Sequence, residues 1–102
     1  MYTGLIAKRY ATALADFALQ NNQENAVYLQ VQQILAYFAG SSELRQAMEN
    51  PILHSSVKLE VLAKLLGGSI NGSLESFLNL VFAHNREKYL QFMMYSYVAI
   101  YK

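Results

Sequence analysis

The chain has 102 residues, a length that suits one domain, and its 54% hydrophobic content is enough for a packed core. Eight basic and seven acidic residues give a formal charge of +1, so the sequence lacks the broad positive charge typical of proteins that bind nucleic-acid backbones. Because the sequence contains no cysteine, disulfides, zinc–thiolate sites and cysteine nucleophiles are excluded.

The first predicted helix, capped by Thr3 and ending near Gln20, carries apolar residues around most of its circumference. One row consists of Ile6, Tyr10, Ala13 and Phe17, and the neighbouring row of Ala7, Ala11, Leu14 and Ala18. A surface helix normally has a single apolar stripe, so this helix has enough apolar surface for both a core and a partner. A central helix buried on all sides is the alternative. Lys8 and Arg9 are expected at a solvated edge.

Three conventional amphipathic helices follow, at residues 24–40, 43–49 and 55–66. Asn21 and Asn22 offer a stop for the first helix and a cap for the second, whose apolar face lies opposite Gln30. Either Ser41 or Ser42 is expected to cap the third helix. The third helix should end before a proline, and the fourth at a pair of glycines.

The fifth predicted helix, residues 74–84, repeats the excess of apolar surface seen in the first, and its cap is expected among residues 71–73. The sixth begins around residues 86–87 and continues to the chain end without a stop signal, so we expect a further segment to follow. Short connections and the absence of alternating apolar patterns predict an all-α fold, a six-helix antiparallel bundle that forms one domain.

Neither a secretion signal nor a membrane-spanning segment is evident. The longest uncharged run, residues 89–101, is interrupted by Gln91 and Ser96 and is shorter than the roughly 20 apolar residues that cross a bilayer. We therefore expect a soluble domain.

No cluster of residues indicates catalysis or metal binding. The only histidines, His54 and His84, stand on different predicted elements without further ligands at suitable spacing. His54 is expected in a loop, and His84 at the end of the fifth helix, where the helix dipole favours it. Gly67 and Gly68 lack the spacing and the lysine of a phosphate-binding loop. We predict no catalytic residue, no metal and no cofactor.

Several short motifs follow one another along the chain. They are Ile6-Ala7-Lys8-Arg9-Tyr10-Ala11-Thr12-Ala13-Leu14, Leu44-Arg45, Asn50-Pro51, Lys58, Leu65-Leu66-Gly67-Gly68, Phe77-Leu78-Asn79-Leu80-Val81 and Asn85-Arg86-Glu87. Together, their order and spacing resemble the N-terminal domain of the ATP synthase delta subunit family, whose mitochondrial member is the oligomycin-sensitivity-conferring protein. Relatives in that family often have Asn-Gly-Arg where this chain has His84-Asn85-Arg86.

The resemblance implies a non-catalytic stator domain at the top of the catalytic head of the rotary proton-translocating ATP synthase. In the family, a groove between the first and fifth helices receives the N-terminal helix of an alpha subunit. A C-terminal domain, absent from this chain, joins the b subunit of the peripheral stalk. The implied location is the cytoplasmic face of the bacterial inner membrane, as a peripheral part of the enzyme, without membrane insertion and without a nucleic-acid partner.

Carried onto this chain, the resemblance assigns the groove to eight residues. They are Tyr10, Ala13, Ser76 and Leu80, with Ile6, Leu14, Phe77 and His84 flanking them. The alternative function is that of an all-helical RNA-binding antitermination factor of the NusB kind, whose first helix can also carry basic residues ahead of alanines. The near-neutral charge and the scattered basic residues argue against it.

Overall fold

The computed structural model describes the backbone of residues 2–101 and the side chains of residues 4–101. Six α-helices and one 3-10 turn, with no strand among the described residues, make up the fold. They are α1 (Tyr2–Gln20), α2 (Glu24–Gly40), α3 (Ser42–Glu49), α4 (Ser55–Leu65), α5 (Gly72–Ala83), the 3-10 turn (Glu87–Tyr89) and α6 (Leu90–Tyr101). The predicted all-helical fold of six helices is confirmed. None of these helices combines the length and the apolar character needed to cross a lipid bilayer.

Helix α1 contacts α2, α5, α6 and the 3-10 turn, and its most extensive packing is with α6. Its alanine row is the buried one: Ala7, Ala11, Leu14 and Ala18 are at most 2% exposed. Alanine side chains allow a neighbouring helix to approach the backbone closely. The opposite side of α1 is not enclosed, since Leu5 and Leu19 are 56% and 64% exposed. The alternative of a helix buried on all sides is therefore wrong.

Three helices end in the same hydrogen-bonded turn, with a residue in the left-handed conformation just past the helix. They are α1, α4 and α5, and the left-handed residues are Asn22, Gly67 and Asn85. After α5, the amide of Arg86 donates to the Val81 carbonyl (3.0 Å) and the amide of Asn85 to the Phe82 carbonyl (3.1 Å). This Schellman pattern satisfies carbonyls that the helix end would leave unpaired, and it favours glycine or asparagine at the left-handed position.

Two of the predicted helix caps are wrong. Helix α1 begins at Tyr2, so Thr3 lies inside its first turn and does not precede the helix. Asn21 and Asn22 do not cap α2, because they form the turn that closes α1. The residue before α2 is Gln23, and its side chain forms no cap bond. The predicted caps Ser41 and Asn71 are confirmed, since both side chains accept amide hydrogen bonds at the starts of α3 and α5.

The start of α5 is attached to α2 by two glutamines. The Gln30 Oε1 atom accepts a hydrogen bond from the Asn71 amide at 2.7 Å, and the Gln23 Oε1 atom accepts one from the Ser73 amide at 3.3 Å. Gln30 is thus half-buried, contrary to its expected position opposite the apolar face of α2. These bonds pair amides that the first turn of a helix leaves free, and they hold the beginning of α5 in place.

Tyrosines of α6 bind the beginning of α2. The Tyr97 side chain is 1% exposed, and its hydroxyl donates to the Glu24 carbonyl at 2.9 Å. Burial, helped by Tyr101 and the Glu24 charge, raises the pKa of Tyr97 to about 12. The Tyr101 ring stacks on Tyr28 with 4.1 Å between centroids. The sixth helix is therefore fixed to α2 as well as to α1.

The pKa of Tyr97 leads to a stability prediction. Its value in the folded state lies above the ordinary value of 10.0, so the neutral phenol contributes fully below pH 10 and the contribution is lost as the pH rises toward 12. Tyr97→Phe should lower the free energy of unfolding by about 1 kcal/mol at pH 8, through the lost hydrogen bond. Urea unfolding at pH 8 and pH 11 should show this deficit shrinking by about 1 kcal/mol.

The exposed Tyr95 gives a matched control on the same helix. The effect of Tyr95→Phe on unfolding should change less between the two pH values than that of Tyr97→Phe, because the Tyr95 side chain is in contact with solvent. A Tyr97→Phe deficit that does not change with pH would contradict the assignment of the neutral, buried phenol.

Candidate functional site

An open groove lies between α1 and α5, with a volume of about 310 Å³ and an almost wholly apolar lining. Its lining residues are Ala13, Leu14, Phe17, Ser76, Phe77 and Leu80. We refer to this feature as the α1–α5 groove.

The floor and the rims of the groove come from both helices. Leu14 and Phe77 are 2% and 5% exposed and form the floor, where they also contact the core. Phe17 and Leu80 are each 42% exposed and form the rims. Ala13 is exposed and small, so it leaves open the space between the larger side chains. The groove is therefore shaped to receive apolar side chains from outside.

Helical periodicity explains how both helices reach the groove and the core together. On α5, Leu74, Leu78 and Val81 are fully buried, which fixes the core side of the helix. Ser76 and Leu80 are four residues apart, lie away from that side and are exposed. On α1, Ala13 and Phe17 have the same spacing of four. The two exposed rows therefore face each other across the groove.

A hydrogen bond joins the two helices just beyond the groove. The Tyr10 hydroxyl lies 3.0 Å from the Nδ1 atom of His84, and the two rings meet edge to face at 86°. His84 is the residue that follows α5, so this bond links the end of α5 to the middle of α1. The separation of the two helices is thereby fixed next to the groove.

A second pocket of about 520 Å³ lies about two helical turns further toward the N-terminus of α1. Its lining residues are Leu5, Ile6, Arg9, Arg86 and Tyr89. Its lining includes two exposed arginines, whereas the lining of the α1–α5 groove contains no charged residue. We call this feature the basic pocket.

The comparison with protein families decides the assignment. The family model described as ATP synthase delta (OSCP) subunit matches residues 6–102. The chain belongs to the ATP synthase delta (OSCP) subunit family. This confirms the family indicated by the motifs, and it leaves the alternative of an RNA-binding antitermination factor without support.

Similar bacterial members of the delta family are named ATP synthase subunit delta. The protein of Phocaeicola vulgatus is 39% identical over 103 residues, covering the whole chain and 56% of the relative. That of Parabacteroides distasonis is 36% identical over 102 residues, covering the whole chain and 57% of the relative. That of Desulforudis audaxviator is 30% identical over 100 residues, 98% of the chain and 55% of the relative. The chain thus spans a little over half the length of these delta subunits.

The eight groove residues assigned from the delta-family resemblance fall into three groups. Ala13, Leu14, Ser76, Phe77 and Leu80 line the α1–α5 groove. Tyr10 and His84 hydrogen-bond beside it, and Ile6 lies in the basic pocket. Phe17 lines the groove but was not among the eight, although it continues the row of Ile6, Tyr10 and Ala13. The four-residue spacing from Ala13 to Phe17 is the feature of the sequence that could have predicted Phe17 as a groove residue.

The histidines and carboxylates of this delta-family chain do not form a cluster in the described part of the structure. Among residues 2–101, no three His, Asp or Glu side chains come close enough together to hold a metal ion. The His54 Nδ1 atom accepts a hydrogen bond from the Ser56 amide at 3.2 Å. His54 thus caps α4, a role that the sequence analysis did not assign to it.

Two buried charged residues lie near the end of α5, outside the α1–α5 groove. Lys58 and Glu87 are 2% and 4% exposed, and the Lys58 Nζ atom lies 4.9 Å from the centre of the Phe82 ring. Burial lowers the pKa of Lys58, and the Glu87 charge partly opposes this shift. Residue type and spacing do not predict this burial, because lysine and glutamate are usually exposed.

The turn after α5 gives a prediction about Asn85, the residue in the left-handed conformation. Asn85 has φ 56°, a conformation that glycine adopts without strain and alanine does not. Asn85→Gly should raise the free energy of unfolding by roughly 0.5 kcal/mol, and Asn85→Ala should lower it by about 1 kcal/mol. Urea unfolding measures both changes.

Asn79, exposed in the middle of α5, provides the control with the opposite sign. There, the glycine variant should be less stable than the alanine variant by about 1 kcal/mol, because the residue is helical. If glycine and alanine ranked in the same order at both positions, the left-handed turn at Asn85 would be wrong.

Proposed function

We propose that residues 1–102 are the N-terminal domain of a delta subunit and act as a non-catalytic part of the ATP synthase stator. The α1–α5 groove binds the N-terminal helix of an alpha subunit, and the domain is an antiparallel six-helix bundle. A C-terminal domain outside these residues joins the b subunit of the peripheral stalk. The subunit then links the catalytic head to the stalk at the cytoplasmic face of the bacterial inner membrane, as a peripheral part of the complex.

The observation that supports this function is an apolar groove between two helices in a chain of the delta family. An amphipathic helix presents apolar side chains at positions i, i+3, i+4 and i+7, and it binds by placing them in such a groove. Phe17 and Leu80 flank the bound helix, while Ala13 lets its backbone come close. Binding and positioning are the whole activity of the site, with no chemical step.

The groove is formed before the partner arrives, which favours tight binding. Burying apolar area contributes about 25 cal/mol per Å², from which the cost of ordering the incoming helix must be subtracted. The Tyr10–His84 hydrogen bond and the attachment of Ser73 to Gln23 hold α1 and α5 without the partner. Little free energy is then spent on rearranging this domain. A stator contact must resist torque, so slow dissociation is the property that the groove has to provide.

Replacing Ala13 with tryptophan tests the groove. Because Ala13 is exposed, Ala13→Trp should fill the space for the partner helix without disturbing the core. Calorimetric titration with a synthetic alpha-subunit N-terminal peptide from the same organism should show binding abolished. The melting temperature should change by less than about 4 °C, the shift that corresponds to roughly 1 kcal/mol in a domain of this size.

Two further alanines serve as controls. Ala36 is exposed on α2, and Ala36→Trp should bind the peptide like the unmodified protein. Ala11 is fully buried, and Ala11→Trp should unfold the domain. Normal peptide binding by Ala13→Trp would exclude this groove as the site, and unfolding of Ala13→Trp would show that Ala13 belongs to the core.

A further inference from the structure

Basic residues are concentrated at one end of the domain. Four of the eight lie in the first half of α1 or in the connection from α5 to α6, namely Lys8, Arg9, Arg86 and Lys88. The only acidic residue in these two segments is Glu87, which is 4% exposed and lines a different pocket together with Lys58. This end of the surface therefore carries a local positive charge, although the whole chain is nearly neutral.

The basic pocket combines this charge with apolar side chains. Arg9 and Arg86 line a space of about 520 Å³ together with Leu5, Ile6 and Tyr89. Within residues 2–101, the one ion pair is that of Arg45 with Glu49, so neither arginine has a carboxylate partner in the described part of the chain. An arginine guanidinium is suited to bind a carboxylate through two parallel hydrogen bonds.

The basic pocket lies in line with the α1–α5 groove. Ile6 in the pocket and Phe17 in the groove belong to the same row of α1, and Tyr10 stands between them with its bond to His84. Eleven residues separate Ile6 from Phe17, which corresponds to roughly 17 Å, or three turns, along a helix axis. One bound helix of modest length can therefore occupy the groove and reach the pocket.

The side of α1 next to the row of Ile6 and Phe17 has opposite charges at its two ends. Arg9 lies at the pocket end, and Asp16, seven residues later, lies on the same side of the helix. Both side chains are exposed. A helix lying along the row therefore meets positive charge at one end and negative charge at the other.

We infer that the basic pocket binds an acidic end of the helix that occupies the α1–α5 groove. Carboxylates of the partner helix pair with Arg9 and Arg86, and a neighbouring apolar side chain packs on Leu5, Ile6 and Tyr89. This inference rests on the proposed function and adds to it the charge and the direction of the bound helix. Opposite charges placed in this way disfavour a helix that lies in the reverse direction.

The test uses two synthetic peptides. One has the natural sequence of an alpha-subunit N-terminus, and the other has every Asp and Glu replaced by Asn and Gln. Arg9→Gln and Arg86→Gln should each weaken binding of the natural peptide about three- to fivefold at low salt, as expected for an exposed ion pair. The loss should shrink in 0.5 M NaCl, where the Debye length is about 4 Å and exposed charges are strongly screened. Neither variant should change binding of the neutral peptide.

Lys64→Gln is the matched control, because Lys64 is exposed on α4 and its loss lowers the net charge equally. Lys64→Gln should bind the natural peptide like the unmodified protein.

The inference would be overturned if Lys64→Gln weakened binding as much as the arginine variants do, or if the arginine variants weakened binding of the neutral peptide equally. Either result would leave the groove proposal standing. If the unmodified protein bound neither peptide, the proposed function itself would fail. If the arginine variants lost binding to a short RNA and kept the peptide, the acidic-helix assignment would be wrong.

Discussion

The packing of α6 against the alanine row of α1 is the contact on which the rest of the domain depends. Ala7, Ala11 and Ala18 present only methyl groups, so α6 can lie close to the backbone of α1 along most of its length. Because this contact uses one row of α1, the neighbouring row with Ala13 and Phe17 remains outside the core. The groove is thus a consequence of how α1 is shared between the interior and the surface.

The position of α5 completes the groove, and it is fixed at both ends of that helix. At its start, Gln30 of α2 and Gln23, the residue before α2, accept hydrogen bonds from backbone amides. At its end, the left-handed turn at Asn85 closes the helix and His84 bonds to Tyr10. A groove held in this way is preorganised, and preorganisation strengthens binding by lowering the cost of ordering the complex. This fits the stator role proposed for the domain.

Exposed apolar side chains alone do not identify the site. Leu29, Phe92 and Tyr95 are each at least 50% exposed, yet they lie on other helices outside the α1–α5 groove. The groove differs because two helices supply facing residues over a shared floor. The basic pocket adds charged residues at one end of this surface. Charge at one end can set the direction of a bound helix, while apolar contacts supply most of its affinity.

Local patterns in the sequence are sufficient to predict the six helices, most of their ends, the two apolar rows of α1 and the family. These features depend on local periodicity and on capping and turn residues, which act within a few positions. The packing of the helices determines which row of α1 is buried, that Lys58 and Gln30 turn inward, and that Phe17 faces Leu80 across a groove. Periodicity assigns residues to a face of a helix, but the neighbouring helices determine what that face contacts, and that depends on segments distant in the chain.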